Sequence, residues 1–310
     1  MKLSRKSAVR HPAQLEIPIE REVTPDRNAH KGGRSFYFFD FDDNIAFLST
    51  PIVLFEKSTQ RELAVSSAEF AAEQRWIGKR GRYHNYELRF DDQNGSFRNF
   101  RDRNRSLIDR VLGRRQLFVR DLAHALGLPD VAWKGPSWSC FYHATLNQRP
   151  VSLITARGHA PETMKAGLKL MADRGFLPLE PNYLSVFPVS HPETRQKLGC
   201  AKGLTPVSEL KRAAIRASVE AAIEKYGESD HHRFGMSDDD PVNIQMITEE
   251  MVALKNRYPK MSFFVIETEE GRFVKWEVFK DGPGTKSSSK TNDFQSFEQL
   301  TLGLFDDTVK

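Results

Sequence analysis

The residues best suited to chemistry are three aspartates, Asp40, Asp42 and Asp43, which follow four aromatic residues in the stretch FYFFDFDDN. A short apolar run without polar alternation is typical of a strand buried on both faces of a parallel sheet. Carboxylates this close together repel one another unless a cation or hydrogen-bond donors accompany them. The stretch therefore predicts a buried strand whose carboxyl end is a metal site.

Two further strand ends and a helix carry groups that complement these carboxylates. The strand PVSLIT ends at Thr155, the strand HRFGMSDDD ends at Asp238 and Asp239, and a long predicted helix carries Lys211. Taken singly, each has an ordinary explanation, because an Asp cluster can form a turn, a Thr can cap a helix and a Lys can lie on the surface. Ligands of doubly wound sheets bind at the carboxyl ends of strands, so we expect these groups to converge on Asp40.

The elements that must position these residues alternate between strand and helix. Helical periodicity follows Pro161 in ETMKAGLKLMADRG and runs from Ser208 as N-cap to Gly227, and MSFFVIET and RFVKWEVF are predicted to form a hairpin across Glu270 and Gly271. This alternation predicts an α/β fold in three layers, with a doubly wound, mainly parallel sheet.

In combination, these motifs resemble those of the haloacid dehalogenase-like (HAD) superfamily of phosphohydrolases. The resemblance runs from Phe36 to about Thr268, and the motifs that carry it are DFDDN at Asp40, LIT at Thr155, Lys211 and the pair Asp238 and Asp239. The family prefers Thr or Val at the position of Asn44. Lys197 and Lys202 are alternatives to Lys211 for the lysine of the motif.

The resemblance implies a division of labour between the first two aspartates. Asp40 would be the nucleophile that forms an aspartyl-phosphate, which splits one hydrolysis into two displacements. Asp42 would protonate the leaving oxygen and then deprotonate the attacking water, and its presence favours phosphoester transfer over dehalogenation. The expected activity is that of a magnesium-dependent phosphatase acting on a phosphomonoester.

The resemblance also implies a metal and a phosphate-binding set. Mg²⁺ prefers oxygen ligands, and those implied here are Asp40, the main-chain carbonyl of Asp42, and Asp238 or Asp239. The residues expected to contact the substrate phosphate are Thr155, Lys211 and, just after the second strand, Arg157.

An insertion at residues 51–147 is predicted to form a basic, mostly helical cap, with the HAD-like core at 35–50 and 148–279. Between Arg75 and Arg120, thirteen Lys or Arg residues face five acids, a net charge of +8 within a chain of net +5. This charge would attract a phosphorylated small molecule, a nucleotide or a nucleic-acid end, or the arginines could pair with surface acids. The interleaved aromatic residues, which could stack on bases or form the core of the cap, are Tyr83, Tyr86, Phe97 and Phe100.

The remaining features concern the two ends of the chain and the cellular location of the protein. Residues 1–34 are predicted to form a flexible arm and residues 280–310 a flexible tail. Only Cys140 and Cys200 occur, and no segment has signal-peptide or membrane-span character, so we expect a cytoplasmic protein without a membrane partner.

Three alternative functions stay open: a phosphatase that processes nucleic-acid ends, a phosphotransferase, and a binding protein of the same fold without turnover.

Overall fold

The structure is a computed structural model that describes residues 22–91, 93–104, 113–200, 205–268, 272–284 and 287–290. Its strands are β1 (Ser35–Phe39), β2 (Ile52–Glu56), β3 (Glu62–Val65), β4 (Tyr86–Glu87), β5 (Pro150–Thr155), β6 (Asn182–Pro188), β7 (Arg233–Asp238), β8 (Ser262–Glu267), β9 (Arg272–Phe279), β10 (Gly282–Pro283) and β11 (Ser287–Lys290). Its helices are α1 (Ser67–Glu73), α2 (Leu117–Ala125), α3 (Asp130–Trp133), α4 (Trp138–Leu146), α5 (Pro161–Asp173), α6 (Pro192–Lys197), α7 (Val207–Tyr226) and α8 (Pro241–Arg257). No helix in these ranges is long and apolar enough to cross a membrane.

The central feature is an eight-stranded sheet with the order β10-β9-β8-β7-β1-β5-β6, in which β11 pairs with β9. The strands from β8 to β6 are parallel, and β9 pairs antiparallel with β8 as the predicted hairpin requires. The predicted α/β fold with a mainly parallel sheet is therefore confirmed.

Strand β1 lies at the centre of the sheet because its aromatic residues bury on both faces. Phe36 and Phe38 pack with α7 and α8 on one face, and Phe39 packs with α2, α4 and α5 on the other. Each buried Phe contributes roughly 1.5–3 kcal/mol to stability. β5 pairs with β1 on one side and β7 on the other, so the carboxyl end of β1 faces the crevice where the strand order reverses.

The insertion differs from the predicted 51–147 unit. Strands β2, β3 and β4 form a separate three-stranded sheet, and a small apolar cluster that includes Ile52 and Tyr83 packs with it. The helices α2, α3 and α4 pack instead with the core, because residues such as Phe118 and Phe141 bury beside Phe39. Residues 51–147 therefore contain two parts. The helices α2, α3 and α4 belong to the core, and β2–β4 with α1 form a separate unit.

The two ends of the chain also differ from the prediction where the structure describes them. In the expected arm, residues 22–34 pack on the core: Asp26 accepts hydrogen bonds from the Ser35 amide (2.8 Å) and hydroxyl (3.1 Å), and Asn28 donates to the His231 carbonyl (2.8 Å). In the expected tail, β10 and β11 extend the sheet by pairing with β9. Residues 1–21 and 291–310 lie outside the described residues.

The helix boundaries agree with most of the cap signals in the sequence. Ser66 caps α1 by accepting a hydrogen bond from the Glu69 amide (3.1 Å), as its Ser-x-x-Glu pattern indicates. Helix α7 starts one residue before the predicted N-cap Ser208, with Pro206 as its N-cap, and ends at Gly227 as predicted. This helix carries Lys211 beneath the carboxyl ends of the strands.

Candidate active site

The centre of the candidate site is a buried lysine between two carboxylates. The Lys211 ammonium lies 3.2 Å from Asp40 Oδ2 and 2.8 Å from Asp238 Oδ2. All three side chains are buried, and the Asp40 amide donates to the Ser237 carbonyl (3.0 Å), which aligns the ends of β1 and β7. The structure thus brings together three of the predicted residues from β1, α7 and β7.

The alternatives to Lys211 are placed differently. Lys197 is exposed near the end of α6, and Lys202 lies outside the described residues. Lys211 faces the site because it lies on the side of α7 that packs against the sheet, next to buried Leu210 and Ala214.

The electrostatics of this centre show a shortage of positive charge. Burial raises the pKa of Asp40, and repulsion from Asp238 and Asp42 adds to the rise against the opposing effect of Lys211. Burial, then repulsion from Asp40 and Asp238, raises the pKa of Asp239 to about 8. Burial lowers the pKa of Lys211, but attraction to Asp238 and Asp40 outweighs it and raises this pKa above its ordinary value. One ammonium is therefore too little charge for these carboxylates at neutral pH, and a further cation would stabilise them.

The donor set fits Mg²⁺. Asp40, Asp238 and Asp239 each offer a carboxylate oxygen, and these atoms lie within 4.8 Å of one another. Asp40 Oδ1 is buried and has no hydrogen-bond partner among the described residues, so it is available as a ligand. Asp238 is oriented by the Asp240 amide (3.1 Å) and by Asn243 Nδ2 (3.0 Å), both of which donate to its Oδ1. Carboxylate oxygens without nitrogen or sulfur donors are the set that Mg²⁺ prefers.

Asp42 does not belong to the group formed by Asp40, Asp238 and Asp239, because its side chain is bonded to Arg157. The Arg157 Nε lies 2.8 and 3.0 Å from the two Asp42 oxygens, and its Nη2 lies 2.6 Å from Asp42 Oδ1. The guanidinium is 1% exposed and lies against the rings of Phe100 (4.8 Å) and Phe118 (5.0 Å). Phe100 belongs to the insertion, so one stack links the insertion, Arg157 and Asp42.

This arrangement bears on the role predicted for Arg157. Besides the bonds to Asp42, Nη2 also donates to the Thr50 hydroxyl (3.1 Å), and the buried Nη1 has no partner in the part of the chain that the structure describes. A guanidinium engaged in this way is not free to bind a phosphate through its fork, because its paired donors already face a carboxylate. The described contacts of the Arg157 guanidinium thus go to Asp42 and Thr50, and its binding of the substrate phosphate stays a prediction.

Thr155 lies beside the same carboxylate. Its hydroxyl is 3.4 Å from Asp42 Oδ2 and accepts the Arg157 amide (3.3 Å), and the residue is fully buried. The alternative role as helix cap does not hold, because the N-cap of α5 is Ala160. The predicted strand-end residues therefore lie in two adjacent groups, one around Lys211 and one around Arg157.

Asn44 orders the centre of the site, which the sequence did not indicate. Its Nδ2 donates to the Asp40 carbonyl (3.1 Å) and to the Ser237 hydroxyl (2.9 Å), and its Oδ1 accepts from the Thr268 hydroxyl (2.8 Å). These bonds join the ends of β1, β7 and β8. In the sequence, the only signal for this role is a polar residue close to the aspartates. The burial of Asn44 and its distant partners are visible only in the structure.

Asp43 occupies the turn after Asp42. Its φ is +56°, in the left-handed region that Asp tolerates better than most residues, and its amide donates to the Ala46 carbonyl (3.1 Å). The Ser67 hydroxyl at the start of α1 lies 3.4 Å from Asp43 Oδ1. The third aspartate therefore makes the turn and contacts the insertion.

The aromatic residues of the insertion pack together, and several of its arginines pair with acids of the same unit. Tyr83, Tyr86, Phe97 and Phe100 pack in the small apolar cluster, as one of the two interpretations predicted. Three arginines make ion pairs with acids of the same unit, and these pairs are Arg82–Glu69, Arg89–Glu87 and Arg98–Glu62. These contacts support the surface-pairing interpretation for part of the +8 charge.

Comparison of the chain with protein-family models, with curated proteins and with solved structures finds no match. The functional argument therefore rests on the geometry of the residues themselves.

Substitution of Lys211 by Met tests the need for a cation at this centre. Lys211→Met leaves Asp40 and Asp238 buried without their counter-ion, and we expect the metal-free protein to lose roughly 3–5 kcal/mol of unfolding free energy. Added Mg²⁺ should raise the melting temperature of this variant more than that of the wild type. Lys197→Met, at an exposed position, is the control. An unchanged melting temperature, or equal Mg²⁺ shifts in variant and wild type, would contradict the assignment.

A second prediction concerns His159, which is fully buried against Phe118, and neither ring nitrogen has a partner within the described ranges. Burial, then the charges of Arg157 and Arg101, lowers its pKa to about 2. The unfolded chain takes up a proton on this ring near pH 6.5 while the folded chain does not, so stability falls as pH drops below that value. Between pH 7 and 5, the wild type should lose on the order of 1–2 kcal/mol more than His159→Leu in urea denaturation. Parallel stability profiles for the two proteins would show that the ring accepts a proton in the fold.

Proposed function

We propose that the protein is a magnesium-dependent phosphatase that hydrolyses a phosphomonoester through an aspartyl-phosphate at Asp40. The observation that carries the proposal is the environment of this side chain. Asp40 lies at the strand-order reversal, its Oδ2 is bonded to Lys211, and its unpartnered Oδ1 is grouped with Asp238 and Asp239. A structural carboxylate is normally satisfied by its neighbours, whereas this one keeps an atom available for a ligand.

In the proposed first step, a carboxylate oxygen of Asp40 attacks phosphorus and the bond from phosphorus to the leaving oxygen breaks. Lys211 lies 3.2 Å from Asp40 Oδ2 and adds positive charge beside the transferring group. Bound Mg²⁺ would supply the charge that lets the carboxylate and the phosphate, both anions, approach each other. The residues that would hold it are Asp40, Asp238 and Asp239.

Asp42 is the proposed proton carrier, and Arg157 controls its position. A proton passes from Asp42 to the leaving oxygen, and Asp42 then takes one from the water that releases phosphate from Asp40. Its oxygens are engaged by the Arg157 fork and by Thr155, so at least one bond must open for each proton transfer. The stack of Phe100, Arg157 and Phe118 couples this opening to the unit formed by β2–β4.

The proposed substrate is a phosphorylated small molecule or nucleotide, with β2–β4 and α1 as the cap of a HAD-like core. The internal ion pairs of the insertion weaken the argument for nucleic acid, and the binding-only alternative would not need a proton carrier at Asp42. A cytoplasmic location completes the proposal, in keeping with the free thiols of Cys140 and Cys200.

The direct test is Asp40→Asn, assayed with Mg²⁺ on p-nitrophenyl phosphate, a panel of phosphorylated metabolites, and 3′- and 5′-phosphorylated oligonucleotides. The wild type should release phosphate from at least one small substrate, and the variant should be slower by roughly 10⁴-fold or more because the nucleophile is gone. Asp230→Asn, at an exposed ion pair, should keep full activity. Hydrolysis of oligonucleotides alone would favour end processing, and turnover by Asp40→Asn would refute the aspartyl-phosphate.

Arg157→Lys separates positioning from phosphate binding. The lysine keeps the charge but loses the fork that orients Asp42, so kcat should fall by roughly 10²-fold with little change in KM. A phosphate ligand would instead raise KM. Arg212→Lys, at an exposed ion pair with Glu249, serves as the control. A variant whose KM alone changes would return Arg157 to the phosphate-binding set.

A further inference from the structure

A cavity lies on the sheet, away from the candidate active site. Its volume is about 310 Å³, at the lower end of the range for small-molecule sites. It opens beside the amino-terminal halves of β1 and β7, where Tyr37 and Gly235 line it, and Cys140 and His143 of α4 form one side. Tyr37 precedes Asp40 by three residues, so the cavity is separated from the nucleophile by roughly 10 Å of strand.

The cavity exists because a strand residue without a side chain lies between two aromatic residues. Gly235 is paired with Tyr37 of β1 on one side and with Phe264 of β8 on the other. A Cβ at Gly235 would lie 3.7 Å from Ile266 Cδ1 and 3.9 Å from Phe264 Cβ, which are ordinary contact distances. The backbone at this position therefore tolerates a side chain. The space above Gly235 is present because glycine has no side chain to occupy it.

On this face, the described helices pack mainly on strands other than β8 and β9. α4 and α5 contact β1, β5 and β6, whereas among the described helices α8, on the opposite face, is the one with its main contacts to β8 and β9. The apolar wall formed by Phe264, Ile266 and Phe273 is consequently accessible from the cavity.

Four cationic side chains line this apolar wall: Arg27, Arg149, Arg233 and Lys275. The Phe264 ring lies 4.7 Å from the Arg233 guanidinium and 4.5 Å from the Lys275 ammonium. Two carboxylates act on the group, since Asp26 lies 3.4 Å from Arg149 Nη1 and Glu277 attracts Arg233 and Lys275. Among the described residues, Arg233 and Lys275 thus lie on the same aromatic ring, and Glu277 is the carboxylate that acts on both.

Arg233 and Lys275 repel each other in this setting. Burial, then repulsion from Arg233, lowers the pKa of Lys275 to about 8. Burial and repulsion from Arg27 lower the pKa of Arg233 as well. A bound anion would relieve this repulsion, just as a metal would relieve the carboxylates at the other end of β1.

We propose that this cavity binds a small aromatic anion, with its flat apolar body over Gly235 between Tyr37 and Phe264 and its negative group beside Arg233 and Lys275. The aromatic wall matches a flat body, and the two cations supply charge-assisted hydrogen bonds to a carboxylate or phosphate group. The site is independent of the chemistry at Asp40.

The test is isothermal titration of the full-length chain, without Mg²⁺, with three probes: 2-naphthoate, the neutral 2-naphthalenemethanol and inorganic phosphate. We expect 2-naphthoate to bind with one-to-one stoichiometry and at least about tenfold more tightly than either other probe, because it alone offers both charge and ring. Equal affinity of the neutral alcohol, or absence of naphthoate binding at millimolar concentration, would overturn the proposal.

Two variants locate the binding. Gly235→Val fills the floor of the cavity and leaves the cations unchanged, and Lys275→Met removes one charge and keeps the shape of the side-chain stem. Each should weaken 2-naphthoate binding by about tenfold or more, with folding verified by circular dichroism. Lys260→Met, a Lys at an exposed surface ion pair, should bind like the wild type. Should Gly235→Val fail to fold, Lys275→Met still decides, because wild-type affinity in that variant would refute the site.

Discussion

The structure depends on the accommodation of like charges at the carboxyl end of β1. Asp40, Asp238 and Asp239 lie within 4.8 Å of one another in a largely buried setting, and Lys211 alone partly neutralises them. Such a cluster is costly unless it has a function or a cation, since desolvation and repulsion act in the same direction. The fold offsets part of this unfavourable energy in two ways. Helix α7 places Lys211 between the carboxylates, and the parallel strands align the three aspartates closely enough for a shared cation.

Two hydrogen-bonded groups make the arrangement rigid. Asn44 joins the ends of β1, β7 and β8, and Arg157 fixes Asp42 between the core and the insertion. Preorganised polar groups of this kind lower the reorganisation that a reaction requires. The cavity at the amino-terminal half of β1 is lined instead by cationic side chains, among them Arg233 and Lys275.

Much of the fold was predictable from local patterns. The aromatic run before Asp40 and the alternation of strands with helices identified the parallel sheet and its carboxyl edge, because the periodicity of apolar residues is encoded in neighbouring positions. The extent of the insertion was not predictable in the same way. The apolar face of α2 or α4 shows that the helix is buried, but not whether it packs on the core or on β2–β4.

By itself, the sequence determined the acidic strand ends and the electropositive insertion, because residue type and position along a strand or helix decide these. Only the tertiary structure decided that Arg157 bonds to Asp42, that Asn44 reaches Thr268, and that Gly235 opens a cavity between Tyr37 and Phe264. Each of these contacts joins residues far apart in the chain. Their distances depend on strand order and on the packing of side chains, which no local pattern of residues specifies.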